Sequence, residues 1–141
     1  MKSEKYIAIL SVVFAVFIPV LHSFYLSREL DVFSVLVLSV PVFFACILYA
    51  GISQNAVTGA GLTVLVIYFG FHLFIANLDK DEQIGLWLIF YPINSIGAFI
   101  TSGIGYLLLK QECIKKPFWI IALSSGLTLI GFGLPFLLMV L

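Results

Sequence analysis

The chain has 141 residues, of which 62% are hydrophobic and only 10% charged, and its mean hydropathy is +1.20. A soluble domain carries about 25% charged residues and needs them to cover its surface, so a water-soluble fold is excluded. Seven basic and seven acidic side chains cancel, which leaves neither a basic patch for nucleic acid nor an acidic tail for a cationic partner. The class that remains is all-α: a polytopic transmembrane helical bundle, one integral domain over residues 1–141 in contact with the lipid bilayer.

The N-terminal MKSEK leads into an uncharged run over 6–26. That run is longer than a signal-peptide core and lacks a small-x-small site after it, so it reads as a retained first span. SREL and Asp31 close it. From 32 to 78 no residue is charged, too long a stretch for one crossing helix of about 20 residues. SQNAVTGAG, residues 53–61, is rich in turn formers and predicts the break. It gives spans over 32–52 and 58–78, unless the segment is a re-entrant bend. DKDEQ, with Asn77 just before it, separates a fourth span over 84–109. KQECIKK separates a fifth over 118–140, with Pro117 suited to its first turn. Cys46 lies in an apolar run and Cys113 in a charged loop, with no C-x-x-C or disulfide framework.

Five spans put Lys2, Lys5, Lys110, Lys115 and Lys116 on one side and Arg28 and Lys80 on the other. The excess of lysine places the N-terminus inside and the C-terminus outside. Tyr6, Tyr25, Trp87, Tyr106 and Trp119 fall near span ends, where aromatic belts form. No internal repeat of the inverted-repeat transporter kind is present.

The fourth span raises a separate question, because FYPINSIGAFITSGIGYLLLK spends many positions on small and polar residues. Lipid offers little hydrophobic drive between helices, so small residues four apart mark close packing. Gly97, Thr101 and Gly105 form one such row, and Asn94, Ala98 and Ser102 a second beside it. Ala122, Gly126 and Gly133, with Ser125 beside them, offer a mate on the fifth span.

Depth adds a candidate site. At a rise of about 1.5 Å per residue, His22, His72 and Asn94 lie roughly 9, 6 and 4 Å from their span midpoints, all toward the outer side. Pro19, Pro92 and Pro135 fall in the same half, with Pro41 near the middle. Each proline frees a backbone carbonyl that needs a partner in lipid. Ser11, Ala15, Pro19 and His22 share one helix face, and Gly61, Tyr68 and His72 another. His22, Tyr68, His72 and Asn94 are therefore the candidate polar pocket, open to the outside.

The spans hold no acidic residue, which argues against an ordinary proton-coupled transporter. Nucleophile-elbow, H-E-x-x-H and phosphate-loop motifs are missing. An intramembrane Ser–His hydrolase using Ser95 or Ser102 with His72 has residue type alone behind it. Haem b would need His22 and His72 on one iron, and two lone histidines do not establish it. No catalytic set, metal set or cofactor is assigned. The layout resembles small bacterial inner-membrane proteins, including immunity proteins against pore-forming toxins, in architecture alone. The expected function is non-enzymatic: helix–helix interaction with a membrane-protein partner or a second copy, as an accessory, assembly or immunity-type factor. The alternative is an oligomeric small-solute transporter or channel built around the polar pocket.

Overall fold

The computed structural model describes residues 2–27, 32–76, 78–79, 85–112 and 114–140. Arg28, Asp31, Asn77, Lys80 and Cys113 lie outside the described residues, as does the Trp87 side chain. The fold is all-helical. Its helices are α1 (Lys2–Ser27), α2 (Val32–Cys46), α3 (Gln54–Ile75), α4 (Tyr91–Lys110) and α5 (Pro117–Val140), with a π-helical turn, Leu86–Phe90, leading into α4. Among the described residues α1, α3, α4 and α5 are long and apolar enough to cross a membrane, and α2 is a shorter apolar helix.

The break between the second and third helices lies earlier than the turn formers predict. α2 ends at Cys46, and the chain reverses over residues 47–53. The reversal closes its own backbone. Ala50 N–H bonds Cys46 O at 3.1 Å, and Ser53 N–H bonds Tyr49 O at 3.0 Å. An uncharged turn can therefore sit among apolar residues, because its polar backbone groups are satisfied internally. Ser53 then caps α3, its hydroxyl accepting from Ala56 N–H at 3.4 Å. Most of SQNAVTGAG is thus the buried first turns of α3 rather than a loop.

The π turn has a local cause. Pro92 has no N–H, and its ring would strike the carbonyl of the preceding turn in regular α geometry. The chain widens instead, with Tyr91 N–H bonding Leu86 O, five residues back.

Contacts fix the directions. Ser11 lies at Gly61 and Pro19 at Tyr68, so α1 and α3 run parallel. Gly59 lies at Ser124 and Phe71 at Phe136, so α3 and α5 do too. Ser102 bonds Ala45 and Gly105 meets Tyr49, so α2 and α4 are parallel to each other. Thr101 meets Leu127 and Gly97 meets Gly131, so α4 and α5 are antiparallel. The result is an up-and-down bundle. Lys2, Lys5, Lys110, Lys115 and Lys116 gather at one end, all exposed.

The interior has two parts. Toward the lysine end the core is small: Ala8, Ala15, Ala45, Cys46, Ala56 and Ala60 around Val64, Tyr49 and Leu109. Toward the other end it is aromatic, with Tyr68, Phe71, Tyr91 and Phe132 among Ile67, Ile75 and Ala98. Large apolar side chains such as Phe17, Leu36, Val66, Ile100 and Leu138 face outward, a surface suited to lipid and not to water.

Candidate polar site and the helix seam

Both histidines of the chain meet, although they are fifty positions apart in sequence. His22 on α1 and His72 on α3 have ring centroids 4.8 Å apart at an interplanar angle of 89°. His22 Nδ1 lies 2.9 Å from the Tyr68 hydroxyl, and that hydroxyl donates to Pro19 O at 3.3 Å. Phe69 flanks His22 at 5.6 Å. The faces Ser11-Ala15-Pro19-His22 and Gly61-Tyr68-His72 pack on each other because Gly61 leaves room for Ser11. A Cβ there would stand 3.1 Å from the serine oxygen. Tyr68 is buried at 2% exposure, whereas both imidazoles are half-buried. The group sits beside Pro19 of α1, in the half away from the lysines.

Asn94 is placed differently. It is fully buried on α4, and neither its Nδ2 nor its Oδ1 finds a hydrogen-bond partner among the described residues. Thr128 Oγ1 on α5 is in the same state. An unsatisfied buried amide costs about 1–3 kcal/mol, and such groups in a membrane interior are retained for packing, hydration or function.

The serines considered as nucleophiles are committed to the backbone. Ser95 Oγ donates to Tyr91 O at 2.9 Å and Ser102 Oγ to Ala45 O at 3.2 Å. Axial haem ligands face each other across the porphyrin plane, whereas His22 and His72 are in direct edge-to-face contact with no room for a macrocycle between them.

In the seam between α4 and α5 backbone meets backbone, at Gly97 and Gly131. Pro135 lacks an N–H, so the carbonyl of Gly131 loses its helical donor. That carbonyl points at Gly97, where a Cβ would collide with it and would stand 2.9 Å from Pro135 Cγ. The approach suits a Cα–H···O contact. One turn on, Thr101 Oγ1 donates across the seam to Leu127 O at 2.6 Å. Gly105 lies against the Tyr49 hydroxyl and 2.9 Å from Leu127 Cδ1, measured from a Cβ added there. The α5 side of the seam is thus Leu127, Gly131 and Pro135.

Ala122, Gly126 and Gly133 lie elsewhere. Ala122 is exposed, and a Cβ at Gly126 or Gly133 meets nothing within 4 Å. A hundred degrees of rotation per residue turns their row away from Gly131. The signal that identifies Gly131 is its place four residues before a proline. A second seam, Gly59 against Ser124 and Ser125, joins α3 to α5, with Ser125 Oγ donating to Gly59 O at 3.1 Å. Comparison of the chain with protein-family models, with curated proteins and with solved structures gave no match.

Proposed function

We propose that this chain is a non-enzymatic integral protein of a bacterial cytoplasmic membrane that acts by docking a helix of a membrane partner, as an accessory, assembly or immunity-type factor. The single observation that carries the reading is the unused small face of α5. Gly126 and Gly133 have open space where a Cβ would stand, although small residues in membrane helices otherwise serve close packing. Beside Gly126 a groove of about 250 Å³ runs between α3 and α5, lined by Leu62, Thr63, Val66, Ser125 and Leu129. Its walls are almost wholly apolar. The lysine-bearing end faces the cytoplasm in this reading, by the excess of basic residues there.

A photo-crosslinking residue at position 126 tests it in native membranes, with a control at the outward-facing position 36. A discrete protein adduct at 126 and not at 36 is the expected result. An adduct at twice the 15.6 kDa chain mass identifies the partner as a second copy. Lipid adducts alone at both positions reject the reading. Gly126→Leu should keep the fold within about 0.5 kcal/mol, the range of substitutions away from packing contacts, because a Cβ there meets open space, while abolishing the adduct made from a neighbouring reporter at position 129.

A second reading, a small-solute transporter or channel in oligomeric form, is favoured by the unsatisfied Asn94. A polar amide held in an apolar interior suits a solute path. Flux through vesicles carrying the purified protein, lost in Asn94→Ala with expression unchanged, would support it. Equal flux with and without protein would end it.

A further inference from the structure

We propose that His22 and His72 form a binding site for one divalent transition-metal ion of the imidazole-preferring class, Zn²⁺, Cu²⁺ or Ni²⁺. The inference stands on the geometry of the pair and not on the docking role proposed above. The chain has only two histidines, and folding brings both rings into contact across parallel helices.

The separation suits chelation. A metal–imidazole bond is about 2.0–2.1 Å, which puts each ring centre about 3 Å from the ion. Two rings on one ion at a near-tetrahedral angle then have centres about 5 Å apart by the same bond lengths. The observed separation is 4.8 Å, so the ring centres already stand at the distance that shared ligation of one ion requires.

The surroundings favour a ligating tautomer. Tyr68 O–H donates to Pro19 O, so the phenol oxygen is left to accept from His22 Nδ1–H across 2.9 Å. With the proton on Nδ1, the Nε2 lone pair of His22 is free. A ligating imidazole held through its other nitrogen is the recurrent arrangement in metal sites, and the holding group tunes affinity. Tyr68 is here a positioning residue. It is itself held by burial and by its bond to Pro19 O.

The remaining coordination positions stay open. Both imidazoles are half-buried, and among the described residues no third histidine, cysteine or carboxylate completes the group. Water or a solute would fill those positions. Such a site binds reversibly, unlike the closed four-ligand sites that fold around zinc. Imidazole ligands select against Mg²⁺ and Ca²⁺, which prefer oxygen.

The test uses the full chain in nanodiscs, purified through a tag without histidine, in a Cys113→Ser background that removes a competing thiol. Cu²⁺ is titrated and its electron paramagnetic resonance spectrum recorded, with Zn²⁺ as competitor. One ion per chain, with nitrogen hyperfine structure from two imidazoles and displacement by Zn²⁺, is expected. His22→Gln and His72→Gln should each weaken binding at least tenfold. Tyr68→Phe should weaken it about tenfold at unchanged stoichiometry, the size of loss typical of a removed supporting hydrogen bond. A fold-independent check uses the unmutated histidines, where Zn²⁺ should protect both from diethyl pyrocarbonate together. Unchanged Cu²⁺ affinity in either glutamine variant overturns the proposal. So does a spectrum without nitrogen coupling, or modification of both histidines at the same rate with and without Zn²⁺.

Discussion

Gly97→Leu is expected to abolish the native bundle, whereas Gly126→Leu leaves it intact. Both are glycines in apolar helices, and sequence spacing treats them alike. At Gly97 even a Cβ would collide with the Gly131 carbonyl, which is backbone and cannot rotate away. The remaining three carbons of leucine would have to enter the same seam. Overpacking of a core that can adjust costs about 1–3 kcal/mol. Here α4 and α5 must separate, which also breaks the Thr101 to Leu127 hydrogen bond. The expected loss is at or above the top of that range, a large share of the total stability of a small domain. Gly131→Leu should behave the same way, since its Cβ would strike Thr101 Oγ1 and lie 2.8 Å from Ala98 Cα. Denaturation in mixed micelles, read by circular dichroism and protease resistance, compares the three variants. A stable, protease-resistant Gly97→Leu protein would refute the seam.

Asn94→Leu is expected to stabilise the protein by about 1–3 kcal/mol, the cost of an unsatisfied buried polar group. Leucine keeps the branched four-heavy-atom skeleton of asparagine and has no donor or acceptor to satisfy, although its methyl groups are bulkier than the amide and the site must accommodate them. Asn94 is fully buried with both polar atoms unpartnered among the described residues, within the half whose core is aromatic. The same substitution separates two explanations of why the amide is there. If it stabilises the fold and stops flux, the asparagine is kept for function at a cost in stability. If it destabilises, ordered water satisfies the amide in the native protein, and removing the amide strands that water. Unfolding midpoints of the parent and variant in one detergent decide the sign.

The helices were legible in the sequence because charge alone punctuates an apolar chain. SREL, DKDEQ and KQECIKK mark the ends of α1, α3 and α4 and the start of α5 to within a few residues, whereas α4 itself begins at Tyr91, after the π turn Leu86–Phe90 that occupies the expected first turns of the span. The α2–α3 reversal has no charge to mark it, so the expected break rests on the turn formers of SQNAVTGAG, residues 53–61, which include the glycines of GAG. In water, clustered glycines signal a turn. In lipid they also signal close approach, and here Gly59 admits Ser124 and Ser125 while Gly61 admits Ser11. The true turn, ILYAGIS, carries a single glycine among apolar residues and is held by its backbone bonds. The meeting of His22, Tyr68 and His72 could be anticipated from helix faces, because α1 and α3 are both directed the same way. The isolation of Asn94 from partners could not, because it depends on which neighbours lie across the bundle. The α5 partner of Gly97 was hidden among several small residues, and only the proline four positions later distinguishes Gly131.

The length of α2 has a consequence for the surrounding lipid. Fifteen helical residues extend about 22 Å, short of the hydrocarbon layer of about 30 Å. A shorter apolar element beside longer ones ordinarily forces tilt or a local dimple in the leaflet, at a cost that grows with each ångström of mismatch. The self-bonded reversal after Cys46 removes that demand. Ile47, Ala50 and Gly51 are exposed and present carbon to the acyl chains, while their neighbours' amides are closed onto carbonyls. The reversal thus lengthens the apolar girth of the bundle where the helix stops, and the leaflet on the lysine side can keep its natural thickness around the whole protein.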